Sequence, residues 1–355
     1  MAALISLSAA GLIERDSNSD VLWTWSYPSI SQEQRQLIER KGCLDSDNSL
    51  LIPFVYWQCN RQWFYVHTQD VSESANLPKV QRFSLVLITK DFNPEKYQTL
   101  CSILCQVYQT TGNPAKLLEQ YLSVVTKGSC QSEENGTFVV QEFDQKRAYA
   151  GGSIKELISK FGIESILIYT GMLLKKKIVV YANDVTLLLK CIRSIPALVW
   201  HRQNWSLLYP YVHLSDDELQ DLKATSSYVA GFTDAVVEGK THLYDVFINM
   251  VTEEINVANH AKETFAMSKL HKDIAQAMVK CAQDDDVSDQ QTIKEISNKT
   301  SELINNLKSL AVAPEEGGEP QITIELLKER KLQTSTENFL FNLAVAEGLV
   351  QNLYS

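Results

Sequence analysis

The chain has 355 residues, of which 45% are hydrophobic and 21% are charged, and its formal net charge is −10 at pH 7. This length allows two compact domains, or one domain with two lobes, and the composition is that of an ordinary globular protein. The acidic balance argues against nucleic acid as a partner, because phosphate binding needs a concentrated basic face.

The first 127 residues predict a small α/β unit that begins with two strands. Ala3–Glu14 and Val21–Tyr27 are rich in apolar residues and are separated by a polar turn. The apolar start is short and has no basic residues before it, so a first strand explains it better than a signal peptide does. Ser31 and Gln34 have the spacing of a capping box, which predicts a helix that ends near Lys41.

A hairpin and a central strand are predicted next. Phe54–Gln58 and Gln62–His67 are strand-like runs on either side of Asn60 and Arg61, which are the expected turn residues. Phe83–Thr89 is rich in apolar residues, and this pattern indicates a central strand.

Two helices complete this unit. Asn93-Pro94 and Asn113-Pro114 each predict a helix start, since asparagine accepts free backbone N–H groups and proline loses no hydrogen bond at the first helical position. The resulting order, β-β-α-β-β-β-α-α, is similar to a longin module. Residues 128–150 are polar and predict a connection between two lobes.

A second α/β unit is predicted from residue 151 to residue 255. Ser153 and Glu156 have capping-box spacing, which predicts a helix to about Phe161 with Gly162 as its left-handed end. The elements that follow are a helix Glu164–Leu174, a strand Lys177–Tyr181, a helix Asp184–Ile195, a helix capped by Ser215, and strands Tyr228–Phe232 and Tyr244–Val251.

The last hundred residues have a helical pattern. No run of 18 apolar residues occurs, so no transmembrane helix is expected. Acidic and breaker-rich links separate the predicted helices, which span about 260–281, 290–309, 322–331 and 336–350.

Motifs of small-molecule chemistry are absent from the sequence. There is no G-x-x-x-x-G-K-[ST] phosphate loop, no G-x-S-x-G nucleophile elbow and no H-E-x-x-H zinc motif. The seven cysteines lack C-x-x-C spacing, and we expect Cys101 and Cys105 to be core residues rather than a metal or redox pair. We therefore expect no metal and no cofactor, and a protein that acts on a partner.

Two features leave a structural and a functional interpretation open. Lys175–Lys177 is either a solvated helix end that faces the helix dipole or a contact for an acidic partner or membrane surface. Trp200–Trp205 places two indoles five residues apart, which suits neither one helix face nor one strand face. These rings either pack in the core and between lobes, or anchor a partner.

Four segments resemble the central block of a DENN domain, a module found in regulators of Rab GTPases. They are Leu173–Tyr181, Pro196–Trp205, Ser227–Gly231 and Tyr244–Asn249, which carry a basic hinge before a buried strand, a tryptophan segment, a Tyr-x-x-Gly strand and a final strand. The chain departs from the family pattern at Ala197-Leu198, where Tyr-Pro is usual.

The resemblance implies an α/β (α+β) fold with two lobes. The implied parts are a longin-like lobe over 1–127, a linker over 128–150, a central DENN lobe over 151–255 and a helical downstream region over 256–355.

Longer strings resemble one compact branch of the family, namely Lys90–Tyr97, Thr126–Gly128, Cys130–Gly136, Pro196–Gln203 and Thr336–Leu340. This resemblance implies a guanine-nucleotide exchange factor for a Rab GTPase of the Rab twenty-seven subgroup, in late endosome, multivesicular body and secretory traffic. It also implies a cytoplasmic protein that partners recruit to late endosomes, and an association with coiled-coil subunits of the Commander endosomal recycling assembly.

An exchange factor binds the nucleotide-free GTPase more tightly than the loaded form, so nucleotide affinity must fall by the same factor. Such a protein needs a preformed surface with hydrophobic anchors rather than a general base, and we expect this surface where the two lobes meet. The candidate partner-binding residues are Trp200, His201, Arg202, Asn204 and Trp205, with Tyr228 and Gly231 shaping the adjacent strand.

A non-catalytic adaptor is the competing hypothesis. In that case the helical last third docks on an endosomal complex, and its apolar positions either pack inward or receive a partner helix. These positions are Phe339, Leu340, Leu343 and Val345. A third hypothesis, a longin-type trafficking subunit without GTPase contact, is disfavoured by the extent of the region after residue 150.

Overall fold

The structure of the chain is a computed structural model, which describes residues 6–42, 44, 51–133, 136–144, 148, 151–312 and 320–350. The chain divides into two units, Met1–Ala148 and Tyr149–Ser355. The first residues of the predicted strand Ala3–Glu14 lie outside the described residues.

A five-stranded antiparallel sheet forms the centre of the first unit. Its strands are β1 (Leu7–Asp16), β2 (Val21–Tyr27), β3 (Phe54–Cys59), β4 (Gln62–Asp70) and β5 (Val80–Thr89). They lie in the order β2-β1-β5-β4-β3, so β5 occupies the middle. The central strand predicted at Phe83–Thr89 is therefore confirmed, and its side chains are buried.

The turn between β3 and β4 follows from its two residues. Asn60 and Arg61 take positive φ angles of 51° and 59°, and Cys59 pairs with Gln62 across them. Two successive left-handed residues form the tight turn whose twist matches that of the flanking strands. The predicted hairpin is confirmed.

Three helices whose bounds are described belong to this unit, namely α1 (Gln32–Lys41), α2 (Pro94–Thr111) and α3 (Pro114–Lys127). Ser31 and Gln34 form both hydrogen bonds of the predicted capping box. Asn93 and Asn113 each accept a hydrogen bond from a backbone N–H in the first helical turn, at 3.1 and 2.9 Å. Local capping chemistry thus explains all three helix starts.

Part of the segment predicted as a polar connection is folded, and this corrects the prediction. Strands β6 (Ser129–Ser132) and β7 (Gly136–Val139) pair as an antiparallel hairpin, with Phe138 fully buried. The Ser132 hydroxyl donates to the side-chain oxygen of Gln106 on α2 at 2.6 Å. These contacts tie the hairpin to the first unit, so the boundary between the units follows it.

A mixed five-stranded sheet forms the centre of the second unit. Its strands are β8 (Lys177–Tyr181), β9 (Leu208–Tyr209), β10 (Tyr228–Phe232), β11 (Val246–Asn249) and β12 (Glu254–Val257). They lie in the order β12-β11-β8-β10-β9, and within this sheet the described β11–β12 pairing is antiparallel while the other described pairings are parallel. β8 and β10 have their predicted bounds, whereas β11 is shorter than predicted.

Eight helices of the second unit are described. They are α4 (Ile154–Phe161), α5 (Ser165–Leu173), α6 (Val185–Ser194), α7 (Asp216–Lys223), α8 (Lys269–Gln283), α9 (Asp289–Lys308), α10 (Ile324–Glu329) and α11 (Thr334–Ala346). Helix α8 begins at Lys269 rather than near residue 260, because a 3₁₀ turn occupies Asn259–Ala261 and turns and irregular chain follow it to Ser268. None of the described helices combines the length and the apolarity needed to cross a membrane.

Two predicted caps are wrong. Ser153 and Ser215 precede α4 and α7 as predicted, but neither side chain accepts a capping hydrogen bond. At α4 the acceptor comes from another helix, because Asp289 Oδ1 accepts the backbone N–H of Lys155 at 2.8 Å. Gly162 ends α4 with φ 55° and ψ −132°, which is outside the left-handed helical region that was predicted.

The apolar positions of α11 pack inward. Phe339, Leu340 and Leu343 are buried, and the ring of His271 on α8 lies 4.3 Å from the ring of Phe339. Val345 is 55% exposed. Three of the four positions considered for a partner helix therefore belong to the core of this unit.

Candidate functional site

A cavity of about 280 Å³ lies at the amino-terminal edge of the parallel strands in the second unit. β8 and β10 both begin at this edge, where Lys177 pairs with Tyr228. Nucleotide-binding α/β sheets instead hold their ligands at the carboxyl ends of their strands, so this is a different kind of site. The lining includes Met172, Lys175, Lys176, Arg202, Asn204 and Tyr228.

The end of helix α5 forms one side of the cavity. The N–H of Lys176 donates to Gly171 O at 2.8 Å and the N–H of Lys175 donates to Met172 O at 3.3 Å. These two hydrogen bonds form a Schellman motif, in which a left-handed residue ends the helix. Lys175 occupies that position with φ 52°, although glycine is the usual residue there.

Arg202 joins this helix end to the C-terminal end of α11. Its Nη1 donates to Met172 O at 2.8 Å, and its Nη2 donates to Leu173 O at 2.7 Å and to Glu347 Oε1 at 2.5 Å. A cation at a helix C-terminus satisfies free carbonyl groups and opposes the negative end of the helix dipole. The Arg202 guanidinium therefore has a structural role within this unit.

Glu347 is held in its charged form by two neighbours. Partial burial acts to raise the pKa of its carboxyl, but hydrogen bonds from His201 and Arg202 and the charge of Arg202 outweigh it and lower the pKa to about 2. The His201 ring nitrogen Nε2 lies 3.3 Å from Glu347 Oε1. The three side chains fix the 3₁₀ turn Ile195–Val199 and its continuation against the end of α11.

Three of the predicted partner-binding residues are at least partly exposed to solvent. His201 and Asn204 are exposed, and Trp200 is half-buried. The Asn204 side-chain oxygen accepts hydrogen bonds from the Ser206 backbone at 3.0 Å and from the Ser206 hydroxyl at 2.7 Å. This turn gives the exposed segment a defined shape before the chain enters β9.

The other predicted residues are buried or confined. Trp205 is 6% exposed, and Tyr228 is 2% exposed with its hydroxyl donating to Leu243 O at 2.5 Å. Burial also raises the pKa of the Tyr228 hydroxyl above its usual value. A Cβ at Gly231 would lie 2.3 Å from Pro210 O and 2.3 Å from Ile192 Cδ1, so only glycine fits there. Arg202, Asn204 and Tyr228 line one cavity, whereas Trp205 and Gly231 do not line it.

The buried thiols are unsuited to nucleophilic chemistry. Cys101 and Cys105 are buried core residues as predicted, and burial raises both thiol pKa values. Burial likewise raises the pKa of the Cys191 thiol to about 12, which leaves very little thiolate at neutral pH. Within the described ranges, no three His, Cys, Asp or Glu side chains form a group that could hold a metal ion.

Glu347 and the conformation of Lys175 could not be identified as parts of this site from the sequence. Glu347 lies 145 residues after Arg202, and no local pattern links the two. The basic triplet Lys175–Lys177 was a visible signal, but its pattern fits a solvated helix end equally well. Ser227 lines the cavity only because β10 begins beside β8.

Two family models match the chain. Residues 56–202 match the model described as transport protein Avl9. Residues 152–259 match the model described as stabilization of polarity axis, and this stretch contains the cavity and all the predicted partner-binding residues.

Full-length relatives carry a common name. The chain is 47% identical over 341 residues to DENN domain-containing protein 10 of Danio rerio, which covers 96% of this chain and 97% of the relative. It is 46% identical over 341 residues to the Homo sapiens protein of that name, covering 96% of each. The Dictyostelium discoideum protein of that name is 38% identical over 365 residues, covering 98% of this chain and 100% of the relative.

Proposed function

Because the chain belongs to the family of DENN domain-containing protein 10, we propose that it is a guanine-nucleotide exchange factor that promotes GDP release from a Rab GTPase. The DENN resemblance predicted from the sequence is thereby confirmed, and it covers nearly the whole chain. In this function the chain is a GTPase regulator and carries out no covalent chemistry of its own.

The mechanism is thermodynamic linkage between two ligands of the GTPase. The exchange factor binds the nucleotide-free GTPase more tightly than the GDP-bound form, and GDP affinity falls by the same factor. Binding does this by reordering the switch segments that contact phosphate and Mg²⁺. The chain therefore has to supply a rigid surface that fits one conformation of its partner.

The observation that carries this proposal is the rigid support beneath the segment Trp200–Ser206, in which His201, Asn204 and Ser206 are exposed. Arg202 connects this segment to α5 through Met172 and Leu173, and to the end of α11 through Glu347. Trp200 and Arg202 are residue types that often dominate binding energies when a rigid frame presents them. We therefore propose that Trp200, His201 and Asn204 contact the GTPase, while Trp205, Tyr228 and Gly231 support the surface from within.

The resemblance to the compact branch supports a finer proposal. We propose a Rab of the Rab twenty-seven subgroup as the substrate, with late endosomes and multivesicular bodies as the place of action. An adaptor role in the Commander assembly is the second candidate, and Val345 is the exposed member of the four α11 positions considered for it.

The direct test is release of fluorescent GDP from a panel of purified Rab GTPases, with and without the full chain. We expect faster release from one or two members of the panel, including the Rab twenty-seven subgroup. Release rates that stay at the intrinsic value for every Rab, with a chain shown to be folded, would contradict exchange activity.

We predict that Trp200→Ala slows exchange at least tenfold, because truncating a central aromatic anchor typically costs about 2 kcal/mol of binding free energy. The measurement is the GDP release rate at fixed chain concentration. Ile163→Ala is the matched control, since Ile163 is a 60% exposed apolar side chain just before the start of α5. Equal rates for the two folded variants would remove Trp200 from the contact surface.

A further inference from the structure

The cavity at the amino-terminal edge combines an apolar floor with cationic side chains. Met172, Pro196 and Val199 line it and are themselves buried. Lys175 is exposed and Lys176 is half-buried beside this floor. Apolar walls with a few placed polar groups are the usual make-up of a small-molecule site.

The two lysines are not neutralised by the protein. In the part of the chain that the structure describes, neither ammonium group has a carboxylate within ion-pair distance. Two unpaired cations beside one cavity attract a small anion.

Two carboxylates that contact residues at this edge of the sheet already have other partners. Glu347 accepts hydrogen bonds from Arg202 and His201. Asp245 accepts the backbone N–H of Lys177 at 2.8 Å and lies 3.1 Å from the ring of His260. Neither acid therefore competes for the lysine side chains.

Helix α5 would ordinarily repel an anion at this position. Its C-terminal end carries a partial negative charge on unsatisfied carbonyl groups. Here Arg202 donates to the carbonyl oxygens of Met172 and Leu173, and the Schellman hydrogen bonds occupy those of Gly171 and Met172. The carbonyl oxygens of Gly171, Met172 and Leu173 are therefore occupied, which weakens the negative end of the helix at the cavity.

Lys175 stands in a conformation that favours glycine. A left-handed backbone conformation costs free energy for a residue that carries a side chain, as other sparsely populated conformations do. Such strain often persists where it serves a function. A glycine would end the helix equally well but would remove one cation from the cavity. The strain is consistent with a binding role for the lysine side chain.

We propose that this cavity binds a phosphate monoester, with the phosphate group between Lys175 and Lys176 and the organic part against Met172 and Val199. Two ammonium groups match the charge of about −1.5 to −2 that a phosphate monoester carries at pH 7. The Ser227 hydroxyl and the Asn204 amide lie in the same lining and can donate further hydrogen bonds. This site shares Asn204 with the proposed GTPase contact surface. Its binding test uses no GTPase, so either proposal can fail without the other.

The test is isothermal titration calorimetry of the full chain with inorganic phosphate and with glycerol phosphate. We expect saturable binding of glycerol phosphate that is tighter than that of phosphate, because its organic part contacts the apolar floor. Lys175→Gln combined with Lys176→Gln is expected to weaken binding by about tenfold or more. Lys262→Gln combined with Lys269→Gln is the matched control, which changes the net charge equally at two exposed lysines outside the cavity and should bind as the parent chain does.

Lys175→Gly separates the ligand site from folding. Glycine suits the left-handed position, so this variant is expected to unfold at the same or a higher temperature than the parent chain and yet bind glycerol phosphate more weakly. An unchanged affinity in this folded variant would overturn the assignment of Lys175.

The phosphate monoester can come from a soluble compound or from a lipid headgroup. Co-sedimentation with phosphatidylcholine vesicles, with and without phosphatidic acid, distinguishes these sources. Lysine-dependent binding of glycerol phosphate alone assigns a soluble ligand, and lysine-dependent retention on phosphatidic acid vesicles assigns a lipid. Absence of saturable binding to any of these probes, or binding that the Lys175 and Lys176 variants leave unchanged, would overturn the proposal.

Discussion

The carboxyl group of Glu347 makes the free energy of unfolding depend on pH in the acid range. Its folded-state pKa of about 2 lies below the ordinary value of 4.5, so the folded state favours the charged form. The resulting stabilisation is fully present above about pH 4.5 and is lost as the pH falls toward 2. We predict that Glu347→Gln lowers the free energy of unfolding by about 2 kcal/mol at pH 7, because Arg202 loses its carboxylate.

The measurement is chemical denaturation of parent and variant at a series of pH values. The difference between the two proteins should shrink below pH 4.5, because the parent carboxyl becomes protonated there. Two stability profiles that stay parallel down to pH 2 would show that the ion pair has no such effect.

At the scale of single residues, sequence reasoning succeeded where the partner is local. Asn93 and Asn113 were identified as caps because their side-chain oxygens accept hydrogen bonds from backbone N–H groups in the next turn. Ser153 failed because a distant side chain, Asp289, takes the capping role. Arg202 was identified as a candidate, but its contact with Glu347 depends on the tertiary fold.

At the scale of helices, the start of α4 depends on α9. Asp289 Oδ1 accepts the Lys155 N–H, and the Lys155 ammonium group donates to the carbonyl oxygens of Asp284 and Val287 at 2.7 and 2.6 Å. We predict that Asp289→Ala destabilises the chain by about 1 kcal/mol, the usual cost of losing a cap. Chemical denaturation measures the change.

Ser153→Ala is the matched control for this prediction. Ser153 precedes α4 but makes no capping hydrogen bond, so its replacement should change the free energy of unfolding by less than about 0.5 kcal/mol. A larger loss for Ser153→Ala than for Asp289→Ala would mean that the serine, not the aspartate, caps this helix.

Gly231 allows β10 to pack closely against α6 and against the residue that follows β9. A methyl group there would meet Pro210 O at 2.3 Å, and a backbone oxygen cannot rotate away. We predict that Gly231→Ala destabilises the chain by about 2 to 3 kcal/mol through overpacking. Gly239→Ala provides the comparison, because no atom lies within 4 Å of its added Cβ and its change should stay within about 0.5 kcal/mol. Equal thermal unfolding temperatures for the two variants would refute the steric explanation.

At the element scale, long elements were predicted and short ones were missed. β8 and β10 are buried apolar runs, and their bounds were predicted correctly. β9 has two residues and β12 has four, which is too short for a periodic pattern to indicate a strand. The β6–β7 hairpin was missed because its polar residues resemble a loop, although Phe138 anchors it.

At the scale of the whole molecule, the order of elements made the two-part α+β architecture predictable. Along the chain, an antiparallel sheet with its helices comes first. A mixed, mostly parallel sheet comes second, and its helices both alternate with its strands and follow them. The cavity could not be predicted, because its lining comes from the end of α5, the turn after α6 and the start of β10. Such a site exists only once tertiary packing has brought these parts together.

The exchange hypothesis also makes a claim about the whole molecule, namely that it prefers the nucleotide-free GTPase. The most direct measurement is the dissociation constant of the full chain for one responsive Rab in its nucleotide-free and GDP-bound forms. We predict at least tenfold tighter binding to the nucleotide-free form, matched by an equal loss of GDP affinity in the complex. Equal affinity for both forms would contradict exchange activity and would favour the adaptor function.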